Sequence, residues 1–270
     1  MGIKLIQDGI SPDKKNLAIN VRNYLVSGNR VIGDPGEGLK QTLKKLEEKA
    51  DTSKFGVTDW VMKDADLEQQ IALTKAGIKG EEELCSFLSS LIKYDDKLNG
   101  LVAFASLAYD FGEEGVSKDY IPDTDTLLVY GKHLLVIDAK KLKTKPNQAL
   151  MLLDGVVVDA EKGKEILEVH PSTHIWEKVM EKNNIPIDSI DGYVCIVNDT
   201  ETEIIRTDEW YESHTKLIHI SELKGILEEW VQGKDNTLYL NMLTEIASAQ
   251  IREEKDISFD VDSIKRKFGI

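Results

Sequence analysis

Positive charge is what this chain has least of. Of its 270 residues, 34 are Lys or Arg and 48 are Asp or Glu, giving a formal net charge of −14 and a pI near 4.9. No general positive field exists to gather a polyanion, which excludes a basic, DNA-coating protein. Long apolar runs are missing too. The longest stretch free of charged residues is Leu98 to Tyr109, twelve residues, too short to cross a bilayer. Met1 to Asp8 reaches an acid before any signal-like run develops, and Ile6 stands where a myristoylation signal needs Ser or Thr. The expectation is a cytoplasmic protein with no membrane partner. Cysteine is limited to Cys85 and Cys195, 110 positions apart and each in an apolar pattern, as expected of buried free thiols in a reducing compartment. Internal repeats and low-complexity tracts are absent.

What is present suffices for a packed core: 41% of the residues are hydrophobic. The acidity is unevenly spread. Residues 1–75 carry 12 basic and 11 acidic groups, residues 234–270 carry 6 and 7, and residues 76–233 hold 16 and 30, the whole imbalance. This shift suggests a helical N-terminal region (1–75), a central domain (76–233) and a helical C-terminal tail (234–270). In the first region, Ser11 reads as an N-cap with Pro12 at the first helical position, opening a helix that carries Leu17, Val21, Tyr24 and Leu25. A break at Gly33-Asp34-Pro35-Gly36-Glu37-Gly38 precedes a second helix with Leu39, Leu43 and Leu46 on one face. No Gly-Lys-Ser/Thr follows those glycines, so they read as a turn and not as a phosphate loop. A third helix is expected from Thr58 to Gly77.

The central domain opens with a helix from Glu81 to Lys93 and then turns β-like. Leu101 to Tyr109, Thr126 to Tyr130 and His133 to Ala139 read as strands, and Met151 to Asp159 as a strand turning at Asp154-Gly155. A helix from Ser172 to Lys182, strands at Tyr193 to Val197 and Thr215 to Ile220, and a helix from Ser221 follow. The order predicts an α/β fold around a mixed sheet. The tail predicts one amphipathic helix, Leu238 to Ile251, before Lys265-Arg266-Lys267.

The segment from Ile121 to Lys140 carries the chemistry. If Gly131-Lys132 is a two-residue turn, Tyr130 faces His133 and paired residue numbers sum to 263. Asp125 then faces Asp138, Asp123 faces Lys140, and alternation puts all four on one face. Opposed Cβ atoms lie about 4.5 to 5.5 Å apart, where two ionised carboxylates repel. A divalent cation relieves that repulsion, and carboxylate oxygens suit Mg²⁺. Lys140, on the same face, can hold an attacking water and stabilise a pentavalent phosphate, while the metal lowers the pKa of that water. Acid-x-Lys alone is uninformative, since the chain contains six such triplets. Only the one at Asp138 ends an apolar strand and has acids across a hairpin, and a one-residue slip in register would dismantle it.

Asp125-Thr-Leu-Leu-Val129 and Val136-Ile-Asp138-Ala-Lys140, preceded by Lys79-Gly80-Glu81, resemble the nuclease-related domain of the PD-(D/E)xK nuclease superfamily, and the element order over residues 76–233 is similar to it. The resemblance implies a restriction-endonuclease-like mixed sheet flanked by helices. It also implies Glu81, Asp125 and Asp138 as ligands of Mg²⁺ or Mn²⁺, Lys140 as the catalytic lysine, and nucleic acid, DNA in the first instance, as substrate. The chain departs from the pattern in three places. Asp138 stands where that domain usually has Glu, His174 where it often has Gln, and Lys141, Lys143 and Lys145 replace the aromatic and Gly that commonly follow the lysine.

The bland readings stand beside these. Glu81 is one of three acids expected at a helix start, where the helix dipole alone favours negative charge, and Glu82 takes its place if the helix is rotated. Lys141, Lys143 and Lys145 are a local phosphate track or a solvated loop, and His174 is a polar residue that could line the site. His170 and His174 have helical spacing, but Pro171 lies between them and no third zinc ligand is evident. Trp60, Trp176, Trp210 and Trp230 read as core or interface anchors. The alternative to a nuclease is a non-catalytic interaction or assembly protein, phage- or defence-related, that keeps the fold and docks or oligomerises through residues 1–75.

Overall fold

The computed structural model describes residues 4–53, 61–109, 123–142, 144–145, 148–169, 171–198, 202–213 and 215–250. Its elements in chain order are β1 (Leu5–Ile6), α1 (Lys15–Val26), β2 (Val31–Ile32), α2 (Glu37–Ser53), α3 (Val61–Tyr94), β3 (Val102–Ala108), β4 (Asp123–Tyr130) and β5 (His133–Lys140). Then come β6 (Ala149–Leu153), β7 (Val156–Asp159), β8 (Lys164–Glu168), α4 (Thr173–Lys182), β9 (Ser189–Ile196), β10 (Glu203–Ile204), α5 (Asp208–Glu212), β11 (Thr215–His219), α6 (Leu223–Val231), β12 (Leu238–Tyr239) and α7 (Leu240–Ser248). The fold is mixed α/β, as the element pattern predicts.

A six-stranded sheet in the order β11-β9-β5-β4-β3-β2 forms the centre. β3, β4 and β5 run antiparallel to their neighbours among themselves, whereas β9, β11 and β2 join by parallel pairing. Helices cover both faces, so β3, β4 and β5 read as near-continuous apolar runs. On one face, Leu84 and Leu88 of α3 and Leu223 and Leu227 of α6 pack against Leu128, Leu135 and Ile137. On the other, Val21 and Leu25 of α1, Ile175 and Trp176 of α4, and Leu243 and Ile246 of α7 pack against Phe104, Leu127 and Val136. A second sheet, β10-β6-β7-β8, lays Leu150, Leu152, Val157 and Leu167 over Val194, Ile196 and Leu217.

The β4–β5 hairpin has the expected register, from Tyr130↔His133 to Thr126↔Ile137. Its turn requires glycine: Gly131 has φ +61°, and a Cβ there would sit 2.0 Å from the Asp235 carbonyl oxygen. The hairpin at Asp154-Gly155 also forms, with both residues at positive φ.

Three local expectations are corrected. The third helix and the Glu81 helix are one, and α3 runs unbroken through 75/76; Thr58 and Trp60, at its expected start, lie outside the described residues. Ser11 makes no side-chain cap; Pro12 to Lys14 forms a 3₁₀ turn that leads into α1. The tail begins as a strand, since β12 pairs in parallel with β1 before α7 starts. Residues 4–35 and 238–250 are thus woven into the same layers as the centre: β2 extends the main sheet and α1 packs with α7 against it. Lys265 to Lys267 lie outside the described residues.

Candidate active site

Strands β3 and β4 break their alternation together near their outer ends. Phe104 and Leu107, three apart, pack in the same layer, and Ser106 between them has φ +51°. On β4, Leu127 belongs to the α4 layer, and so does Thr124, whose hydroxyl accepts the Trp176 indole N–H at 3.0 Å and bonds the Ser172 hydroxyl at 2.6 Å. Thr126 lies on the α3 side, 3.7 Å from the Cys85 thiol. A regular strand would put residues three apart on opposite faces.

This break steers Asp125. Its carboxylate is 5% exposed and accepts the Ala139 N–H at 2.9 Å, fastening the end of β4 to β5 where the ladder stops. Asp125, Asp123, Thr124, Ser106 and Glu81 line one shallow depression, walled on another side by Gly38 and Leu39 of α2. Glu81 is 4% exposed and accepts the Gly36 N–H at 3.1 Å. It therefore sits well inside α3 and caps α2 from outside; the expected capping of its own helix start does not occur, because α3 begins at Val61. Burial pushes the Cys85 thiol up to about 11, and the Glu81 and Asp125 carboxylates add to the shift.

Asp138 and Lys140 form the other half. In the parallel ladder they lie beside Val194 and Ile196, whose side chains face the second sheet. Their side chains form an ion pair, with Lys140 4% exposed and its charge little screened. Neither lines the depression. The expected single constellation is therefore present as two adjoining groups, Glu81 with Asp123 and Asp125, and Asp138 with Lys140, linked by the Asp125 bond to Ala139.

The remaining candidates are scattered. Lys141 pairs with Glu83, and its backbone packs against Gly80, where a Cβ would come within 3.2 Å of the Lys141 Cβ. Lys145 and His174 are exposed. Lys143 and His170 lie outside the described residues. Sequence reading missed Gly36 and Ser106. The Gly33–Gly38 turn was a signal for the first, while a serine of positive φ inside an apolar strand leaves none.

The donor chemistry fits a hard divalent ion, since Glu81, Asp125 and Asp138 offer carboxylate oxygens. Among the described residues, however, no group of three or more His, Cys, Asp and Glu side chains is gathered so as to hold one. No helix of the described residues is long and apolar enough to cross a membrane. Comparisons with family models, curated proteins and solved structures return no match to the chain.

Proposed function

We propose that the protein is a Mg²⁺- or Mn²⁺-dependent nuclease of PD-(D/E)xK type, with a restriction-endonuclease-like core, hydrolysing phosphodiester bonds of DNA. The observation that carries this reading is a hairpin paired from Tyr130↔His133 to Thr126↔Ile137, just beyond which Asp125 takes the Ala139 N–H and Asp138 pairs with the buried Lys140. An ammonium group held at 4% exposure needs a partner of opposite charge, and Asp138 supplies it. A solvated strand end has no reason to bury the lysine.

Asp125, Asp138 and Glu81 would hold the metal through carboxylate oxygens. When bound, such an ion supplies a water of lowered pKa and polarises the phosphoryl oxygen. Lys140 then holds the nucleophile or a phosphate oxygen by charge, with Asp138 fixing where the ammonium stands. The Ala139 N–H fixes the Asp125 carboxylate. With a net charge of −14, substrate is met through this narrow site and not through a broad positive surface.

The test is cleavage of linear and supercoiled DNA with Mg²⁺, with Mn²⁺ and with chelator. Metal-dependent cleavage is expected, and Asp138→Ala and Lys140→Ala should each reduce it by at least about 10²-fold. Undiminished cleavage by either variant, or cleavage in chelator, refutes the reading.

A second reading is favoured by one observation: Glu81, Asp125 and Asp138 each already have a protein partner. On that reading the chain is a non-catalytic assembly protein, and both variants leave its binding to partners intact.

A further inference from the structure

We propose that the segment from Gly33 to Lys40 is a strap that holds the acidic depression closed and must lift before a metal ion and a phosphodiester can enter. The proposal rests on the nuclease reading and adds to it a gate.

Three fastenings tie the strap down, two to α3 and one to β3. The Gly36 N–H donates to the Glu81 carboxylate on α3. The Glu37 N–H donates to the Ser106 hydroxyl on β3 at 3.1 Å. Lys40, on the first turn of α2, reaches Glu82 of α3 at 3.2 Å and Asp34 of the strap itself at 2.9 Å. Between these points the strap lies flat on its neighbours. A Cβ on Gly36 would stand 3.1 Å from Ile78, and one on Gly33 would stand 2.5 Å from the Ala105 carbonyl oxygen.

The consequence is steric and electrostatic together. Gly38 and Leu39 form the outer wall of the depression, which encloses about 160 Å³ even with its open mouth counted. Much of that is crevice and open solvent, and it leaves essentially no room for a whole water molecule inside. A hydrated ion with a phosphodiester needs more. One oxygen of Glu81 is also committed to a backbone N–H of the strap, so the carboxylate the metal would use serves first as the lock. Two glycines of positive φ, Gly33 and Gly36, give the strap its bends, and each can change conformation without the cost a Cβ imposes.

The fastenings can be loosened singly. Lys40→Ala removes the ion pairs. Ser106→Gly removes the hydroxyl, and the positive φ at 106 suits glycine better than serine, so the strand keeps its shape. The experiment is Mn²⁺ titration of the full-length protein and of both variants, followed by electron paramagnetic resonance. Hydrogen exchange of residues 33–40 and a thermal melt are measured in parallel, to show that each variant is folded.

The expected result is faster exchange in the strap and Mn²⁺ binding about tenfold tighter in each variant, because a binding-competent state of low population weakens apparent affinity by that fraction. Equal Mn²⁺ affinity in parent and variants, with the strap exchanging faster, overturns the gate and leaves the metal site standing. No Mn²⁺ binding by any of the three overturns the metal-site reading and the gate with it. Unchanged exchange in both variants shows that these contacts do not hold the strap.

Discussion

Three buried charged groups of the site are each matched to a particular neighbour. Lys140 stands against Asp138, Asp125 receives a backbone N–H, and Glu81 caps a helix other than its own. The two thiols differ, being buried among apolar and hydroxyl groups. Burial raises the Cys85 thiol from an ordinary 9.0 to about 11 and raises Cys195 further still. Between about pH 9 and 11 an unfolded chain therefore releases thiol protons that the folded chain keeps. With fewer protons on the unfolded state, stability falls as pH rises through that window. Urea denaturation at several alkaline pH values should show a shallower loss for a Cys85→Ala, Cys195→Ala chain than for the parent. An equal slope would place the alkaline lability elsewhere.

At the scale of elements, α3 is the pivot. Leu84 and Leu88 have no solvent exposure and pin the helix to the sheet, while the next turn toward its start brings Glu81 to the depression. Leu88→Ala should cost about 2–5 kcal/mol in chemical denaturation, and Ile19→Ala, on the exposed face of α1, about 0.5 kcal/mol or less. A loss at Leu88 no larger than that at Ile19 would mean that the helix is not anchored there. Much of this scale was legible in the sequence. The hairpin register followed from Gly131 in a two-residue turn and from the 2.0-residue period. The long helix did not, because Gly77 and Gly80 imitate a stop and a start, whereas Gly80 lets the chain just past β5 approach at Lys141. Strand β8 was illegible for another reason: Lys164-Glu-Ile-Leu-Glu168 is an edge strand with three exposed charges and too little apolar alternation to register. The two-part site was hidden because the shared break at Ser106 and Asp125 changes which face a side chain serves, and a pattern of strict alternation cannot show it.

For the whole molecule, the charge division at residue 76 does not correspond to a gap in the fold. Cutting the chain there would sever α3, take β2 from the sheet edge, and uncover Phe104, Leu243 and Ile246, which α1 now shields. At about 1.5–3 kcal/mol for each such side chain, the loss is comparable with total stability. A chain starting at Ala76 is expected to lose its cooperative melt and bind a hydrophobic dye. Retention of the parent's melting temperature would show that residues 1–75 are an appendage after all. The weave also sets an order of events. Leu5 pairs with Leu238, 233 positions away, so the β1–β12 ladder closes a loop nearly as long as the described chain. Closure over that span is entropically costly and cannot precede synthesis of residue 238. The N-terminal strand therefore waits while the ribosome makes everything between. The ladder is expected to form late in folding, and its contacts should slow unfolding more than they speed folding.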